Sequence, residues 1–198
     1  MSSSDIQTYP VTPERWSDMQ ALFGPRGACA GCWCMWWRLA RSEWSRQQYE
    51  ANRLAMQSII ESGEIPGLLA YLSKNDRSQL DQPIGWISVA PRQAFPTLDR
   101  SPLLKPVDDQ PVWSIVCFFV NRKYRRQGLT TQLIKSAVDY ACHQGAKIVE
   151  GYPYVPQKER ASTLSIYTGV PSAFLKAGFV EIARPSNTRM IVRYYTGM

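Results

Sequence analysis

At 198 residues, with 44% hydrophobic and 20% charged side chains, the chain has the length and composition of one globular α/β-sized domain rather than a disordered or fibrous protein. A chain this long buries about 70% of its unfolded surface, so it needs no disulfide staples, and it contains nothing near the ~18 consecutive apolar residues of a membrane span. The net charge of +7 is spread without a Lys/Arg run, which favours an anionic ligand over a nucleic-acid footprint. The opening Met1-Ser2-Ser3-Ser4-Asp5 lacks the basic and apolar regions of a secretory signal, and the five cysteines are an odd number. Together these predict a cytoplasmic protein with reduced thiols and no membrane or nucleic-acid partner.

Taken in chain order, Thr12-Pro13-Glu14 reads as a helix start, with a capping hydroxyl and proline at the first helical position. Trp16, Met19 and Phe23 follow at helical spacing and Gly24-Pro25 stops them. A second helix is predicted from Ser45 to Glu61, with Ser45 and Gln48 as a capping box. The period then changes. Gly67–Leu72 and Ile84–Val89 read as an antiparallel hairpin, 91–111 as a long proline-rich loop, and Val112–Val120 as a strand buried on both faces. A helix from Gly128 to His143 carries the apolar stripe Leu129, Leu133, Ile134, Ala137, Val138 and Ala141. Ala146–Tyr152 is the next strand, so the two strands flanking this helix form a parallel pair with a right-handed crossover. A short helix at Pro171–Ala177 and strands at Val180–Ala183 and Arg189–Tyr195 complete a mixed sheet flanked by helices, an α/β fold.

The chemistry concentrates at Val120-Asn121-Arg122-Lys123-Tyr124-Arg125-Arg126-Gln127-Gly128-Leu129-Thr130, where a buried strand ends, a basic turn follows and a glycine opens a helix. The first N–H groups of a helix lack intrahelical partners and sit at its positive end, which makes them a site for a diphosphate. An ordinary basic helix start is the alternative reading of the same residues.

This segment resembles the acetyl-CoA-binding motif of the GCN5-related N-acetyltransferases (GNAT), a Gln/Arg-x-x-Gly-x-Gly/Ala pattern matched by Arg125-Arg126-Gln127-Gly128-Leu129-Thr130, with Thr130 in place of the last small residue. Ser172-Ala173-Phe174-Leu175-Lys176-Ala177-Gly178-Phe179 resembles the family's later helix ending in Gly-Phe, and the chain as a whole is similar to a bacterial branch carrying a Cys/Trp-rich N-terminal segment. The resemblance implies a sheet of about six or seven mostly antiparallel strands with a central splayed parallel pair. It implies one domain over 1–198, with a helical acceptor-side lid at 1–65 and a sheet core at 66–198. Acetyl-CoA is the implied co-substrate. Main-chain groups of Phe118, Phe119 and Val120 would pair with its pantetheine arm, and Arg125, Arg126, Gln127, Gly128, Leu129 and Thr130 would hold its pyrophosphate. The N–H near Phe118 would polarise the thioester carbonyl. The acceptor's primary amine would attack directly, with no covalent enzyme intermediate.

Two positions depart from the family pattern. Phe174 stands where a proton-donating tyrosine is common, and Ser114 where a glutamate base is common. Ser114 is a weak base at best, so Glu150 becomes the nearest candidate base and Tyr167 and Tyr152 the candidate acids, each with packing or surface roles as the alternative. The run Cys29-Ala30-Gly31-Cys32-Trp33-Cys34-Met35-Trp36-Trp37 is the other local oddity. No second cysteine pair follows at zinc-ribbon spacing, so no metal is expected. Trp33, Trp36 and Trp37 are read as an aromatic wall of the acceptor pocket, or as packing of the lid on the sheet. The function expected is acetyl transfer to a small-molecule amine. A catalytically weak acyl-CoA sensor and a protein or peptide acetyltransferase are the alternatives, and a homodimer stays open.

Overall fold

A computed structural model describes residues 6–46, 49–72, 82–157 and 166–197. Among the described residues seven strands form one sheet in the order β1-β2-β3-β4-β5-β7-β6. They are β1 (Ile6–Pro10), β2 (Gly67–Leu72), β3 (Pro83–Pro91), β4 (Trp113–Val120), β5 (Ile148–Gly151), β6 (Val180–Ser186) and β7 (Arg189–Tyr195). Every pairing is antiparallel except β4 with β5. The predicted hairpin, parallel pair and terminal strands are all present. β1 was not foreseen; it pairs with β2 at the sheet edge, so the segment read as a helical lid also supplies a strand.

The helices are α1 (Trp16–Phe23), α2 (Arg41–Arg46), α3 (Glu50–Glu61), α4 (Pro96–Arg100), α5 (Leu129–His143) and α6 (Pro171–Lys176). The single helix predicted from Ser45 divides into α2 and α3, and Gln48 of the expected capping box lies outside the described residues. Thr12 makes no side-chain cap hydrogen bond at its helix start. The predicted loop at 91–111 contains α4, because Phe95, Leu98 and Leu104 are all driven into the core.

Two apolar layers cover the sheet. Because β4 carries one extra residue between them, Ile115 and Phe118 fall on one face with Leu129, Leu133, Ala137 and Phe174, so α5 and α6 lie there. The opposite face carries Trp86, Cys117 and Tyr152 against Phe23, Met35, Trp37 and Phe95, from the N-terminal segment and the 91–111 region.

One irregularity positions the site. Cys117 pairs with Ser88 but Ile115 with Val89, so Val116 is an extra residue in β4. Such a bulge bends and twists its strand. The β4–β5 ladder runs from Trp113↔Val149 to Ile115↔Gly151 and stops there, immediately before the bulge. Beyond that point the two strands diverge. At the splay Gly151 approaches Phe174 so closely that an added Cβ would lie 2.3 Å from the ring.

Candidate active site

The splay opens into a cleft of about 1000 Å³. One end is the basic turn: Tyr124, Arg125, Arg126, Gly128, Leu129, Thr130 and Thr131 line it. Gly128 is the N-cap of α5 with φ +81°, and no side chain caps the helix there. Its left-handed backbone suits glycine, and the uncapped N–H groups that follow remain available to an anion. Arg126 also has φ +63°, a conformation that costs a non-glycine residue about 1–2 kcal/mol. The turn therefore holds strain beside its charges. Arg125 braces it through Nε to the Val120 carbonyl at 2.9 Å, and Gln127 through its amide to the Lys123 carbonyl at 3.0 Å. Gln127 itself is not among the lining residues, so only its main chain can serve the role read for it.

Phe118, Phe119 and Val120 form the floor, and Ser172, Ala173 and Lys176 of α6 one wall. The Phe118 N–H, expected to be an open donor for a carbonyl, is occupied: it donates to the Tyr167 carbonyl at 2.7 Å. The splay leaves that N–H without a β5 partner, and the chain at 166–169 crosses the gap to supply one. Arg189 steadies this crossing, with Nη1 2.8 Å from Thr168 Oγ1.

The far end is built from the Cys/Trp segment. Cys29, Cys32, Cys34 and Cys117 line it together with Trp36, Trp37, Trp44 and Tyr167. Trp37 stacks on Tyr167 at 6.4 Å between ring centroids, and Trp36 meets Trp44 edge-on at 5.3 Å. Trp33 does not line the cleft; its ring packs against Trp16 and Phe23 because α1 claims that face. Trp44 takes the place expected of it. The loop carrying the cysteines is wound tightly, with positive φ at Ala28, Ala30, Trp33 and Cys34 as well as at Gly27 and Gly31. Each such non-glycine residue costs on the order of 1–3 kcal/mol and persists only when packing over-determines it. Here the buried Asn52 donates to the Gly31 carbonyl at 2.8 Å and Trp86 Nε1 to Cys34 Sγ at 3.1 Å. Cys34 and Cys117 sulfurs lie 3.1 Å apart. Among the described residues no group of three or more His, Cys, Asp or Glu side chains is arranged to hold a metal ion.

The candidate bases are elsewhere. Glu150 is 1% exposed and is not a lining residue. Arg193 Nε reaches its Oε2 at 2.7 Å, while Tyr152 Oη donates to its Oε1 at 2.7 Å and Arg92 Nη1 approaches Oε1 at 3.4 Å. Ser114 Oγ lies 2.9 Å from Tyr152 Oη in the same buried network. Arg92 and Arg193 also grip Asp99, Asp108 and the Leu104 carbonyl, so this network anchors the 91–111 region to β5 and β7. The geometry does not favour the reading of Glu150 as the cleft's base: it is away from the lining and its lone pairs are committed to guanidinium and phenol donors. Tyr152 is set aside likewise, being buried with its hydroxyl in the network and its pKa raised by burial and then by Glu150. Phe174 is a core ring, edge-on to Phe118 and Phe179. Tyr167 alone of the catalytic candidates lines the cleft. Burial, followed by the nearby Cys117 thiol, raises its pKa above that of an ordinary phenol, so it stays protonated.

The sequence from 32 to 156 matches the model of the Acetyltransferase (GNAT) family, which covers more than half the chain. The chain belongs to this family. Its fold agrees with that of solved members. A GNAT-family acetyltransferase from Streptococcus agalactiae aligns with TM-score 0.54 and 12% identity over 98% of this chain and 96% of its own. A NatC complex bound to Gag peptide and CoA aligns with TM-score 0.53 and 14% identity over 96% and 98%. PaiA N-acetyltransferase from Thermoplasma acidophilum, in complex with coenzyme A, aligns with TM-score 0.50 and 15% identity over 98% and 99%. Identities this low speak for the fold. No curated protein sequence matches the chain. As a GNAT acetyltransferase the protein is an acyltransferase with acetyl-CoA as its co-substrate, and the uncapped α5 N-terminus, the left-handed Gly128 and the basic turn fit a diphosphate.

Proposed function

We propose that this acetyltransferase moves the acetyl group of acetyl-CoA to the primary amine of a small molecule, within a ternary complex. The observation that carries the reading is the continuity of the cleft: one cavity joins the anion-binding turn to a wall of Trp36, Trp37, Trp44 and Tyr167. The turn would hold the pyrophosphate through main-chain N–H groups from Arg126 to Thr130. The pantetheine arm would run beside Phe118–Val120, exchanging the Phe118–Tyr167 bond for one of its own. The aromatic end would receive the acceptor, whose apolar body the rings cover. Holding two reactants in one cleft supplies the larger part of the rate in such a reaction.

The amine nitrogen attacks the thioester carbonyl carbon, the carbon–sulfur bond breaks, and the CoA sulfur takes up a proton. Tyr167, the catalytic candidate that lines the cleft, would give that proton and regain one from water. Its raised pKa keeps it in the donor form through neutral and alkaline pH, up to the point where the phenol itself ionises above its ordinary value. The amine's own proton passes to water.

Tyr167→Phe keeps the stacking on Trp37 and removes only the hydroxyl. The expected result is a fall in kcat of about 10²–10⁴-fold with the dissociation constant for acetyl-CoA little changed, read from steady-state CoA release and calorimetry. An unaltered kcat would remove Tyr167 from the proton path. Trp36→Ala tests the acceptor end. The KM for the acceptor is expected to rise about tenfold while that for acetyl-CoA stays within twofold, the cost of one lost aromatic contact. CoA release across a panel of small amines tests the function itself. Release confined to peptide substrates would move the assignment to a peptide acetyltransferase, and tight acetyl-CoA binding without release on any acceptor would make the protein a sensor.

A further inference from the structure

Four of the five cysteines line one end of the cleft, and the co-substrate that the cleft serves carries its reactive sulfur. Two of the four are closed off: Cys34 and Cys117 are buried and lie sulfur to sulfur, while Cys29 is exposed and has no main-chain N–H directed at its sulfur among the hydrogen bonds of the described residues. Cys32 differs. It lines the cleft, keeps some exposed surface, and its Sγ accepts the Cys34 main-chain N–H at 3.4 Å. An N–H directed at sulfur favours the thiolate over the thiol. The fifth cysteine, Cys142, stands on α5 away from the lining residues and has no such neighbour.

We propose that this end of the cleft is a site of thiol–disulfide exchange with CoA, in which Cys32 takes a CoA moiety from CoA disulfide. The proposal rests on the acetyl-CoA orientation given above, with the pyrophosphate on the basic turn and the sulfur toward the aromatic end. Cys32 Sγ attacks one sulfur of the CoA disulfide. The CoA–CoA sulfur bond breaks, a Cys32–CoA sulfur bond forms, and the departing CoA thiolate takes the proton that Cys32 gave up. No electrons are needed beyond those of the disulfide. Its hydrogen bond with the Cys34 side chain, and then burial, outweigh the Cys34 N–H and hold Cys32 mainly protonated, so it reacts slowly with disulfides met at random. A disulfide held by its nucleotide on the turn is presented at high effective concentration, and this makes the reaction selective for CoA. The adduct fills the cleft, so the modified protein is blocked toward acetyl-CoA.

The test incubates the full chain with CoA disulfide and, separately, with glutathione disulfide, and follows intact mass and peptide maps. The expected result is one CoA moiety per chain on Cys32, removed by dithiothreitol, suppressed by acetyl-CoA, and formed at least about tenfold faster than the glutathione adduct. An internal disulfide from Cys32 to Cys29, Cys34 or Cys117 with two CoA thiols released supports the proposal equally, since it is the same exchange carried one step further. Cys32→Ser should abolish the adduct, and the acetyl-CoA protection in wild type decides the matter if that variant does not fold. Modification at the exposed Cys29 or at Cys142 in place of Cys32, or equal rates with both disulfides, overturns the proposal. So does the absence of any adduct when calorimetry shows CoA bound. Absence of CoA binding itself overturns both this proposal and the acetyl-CoA orientation beneath it.

Discussion

Gly128→Val is expected to abolish acetyl-CoA binding measurable by calorimetry, raising the dissociation constant by at least about a hundredfold, with kcat/KM falling in parallel. Two effects add. The residue sits at φ +81°, where a β-branched side chain is disfavoured by about 1–2 kcal/mol or more, so the turn must rebuild to accept it. In addition, nothing of the protein lies within 4 Å of where a Cβ would point, while the residue lines the cleft. A valine there is not resisted by the protein's own atoms; it occupies the ligand's space. A factor of a hundred is about 2.7 kcal/mol, the scale of losing one or two charge-assisted main-chain hydrogen bonds to phosphate. Gly128→Ala should show a smaller loss in the same direction. Thermal stability should fall only slightly, because the turn is surface structure.

Glu150→Ala is expected to act on the fold, lowering stability by about 3–5 kcal/mol, or on the order of 10 °C in midpoint temperature for a chain of this size. The carboxylate is the shared counter-charge of Arg92 and Arg193, both almost fully buried as side chains, and removing it leaves each guanidinium without its buried partner. The 91–111 region should loosen first, since Arg92 is tied to the sheet through Glu150 itself and Asp108 through Arg193, which Glu150 holds in place. Chemical denaturation and limited proteolysis within 91–111 measure both effects. Glu150→Gln, which keeps the shape, should lose less stability and leave the pH–rate profile unchanged below its unfolding temperature. Loss of the acidic limb of that profile at unchanged stability would return Glu150 to the reaction as its base.

The contrast between these two residues shows what the chain discloses by itself. The geometry at Gly128 is legible because it is local: strand, basic turn and helix start are neighbours in sequence, and the physics of a helix N-terminus needs no tertiary information. The parallel pair around α5 was legible for the same reason. The buried network around Glu150 is not legible because its neighbours, Arg92 and Arg193, arrive from 58 and 43 residues away and no spacing announces them. The bulge at Val116 was equally silent, since it is defined by pairing with β3 and not by any residue type in β4. β1 was missed because Ile6–Pro10 is a short edge strand containing a proline, a poor strand signal. Trp33 and Trp44 exchanged roles because composition marks the segment as aromatic but only its winding, with left-handed residues on both sides of Cys32, decides which rings face the cleft. The Phe118–Tyr167 main-chain bond has no side-chain signature at all.

The proposed transfer requires that the basic turn and the Cys/Trp end belong to a single acetyl-CoA cleft. The most direct measurement is a crystal structure of the protein with CoA bound. The account predicts the pyrophosphate on the main-chain N–H groups of Arg126–Thr130, the arm beside Phe118 in place of the Tyr167 carbonyl, and the sulfur among Tyr167, Cys32 and Cys117. Density for CoA that leaves the turn empty, or whose sulfur end points away from Tyr167, would contradict it.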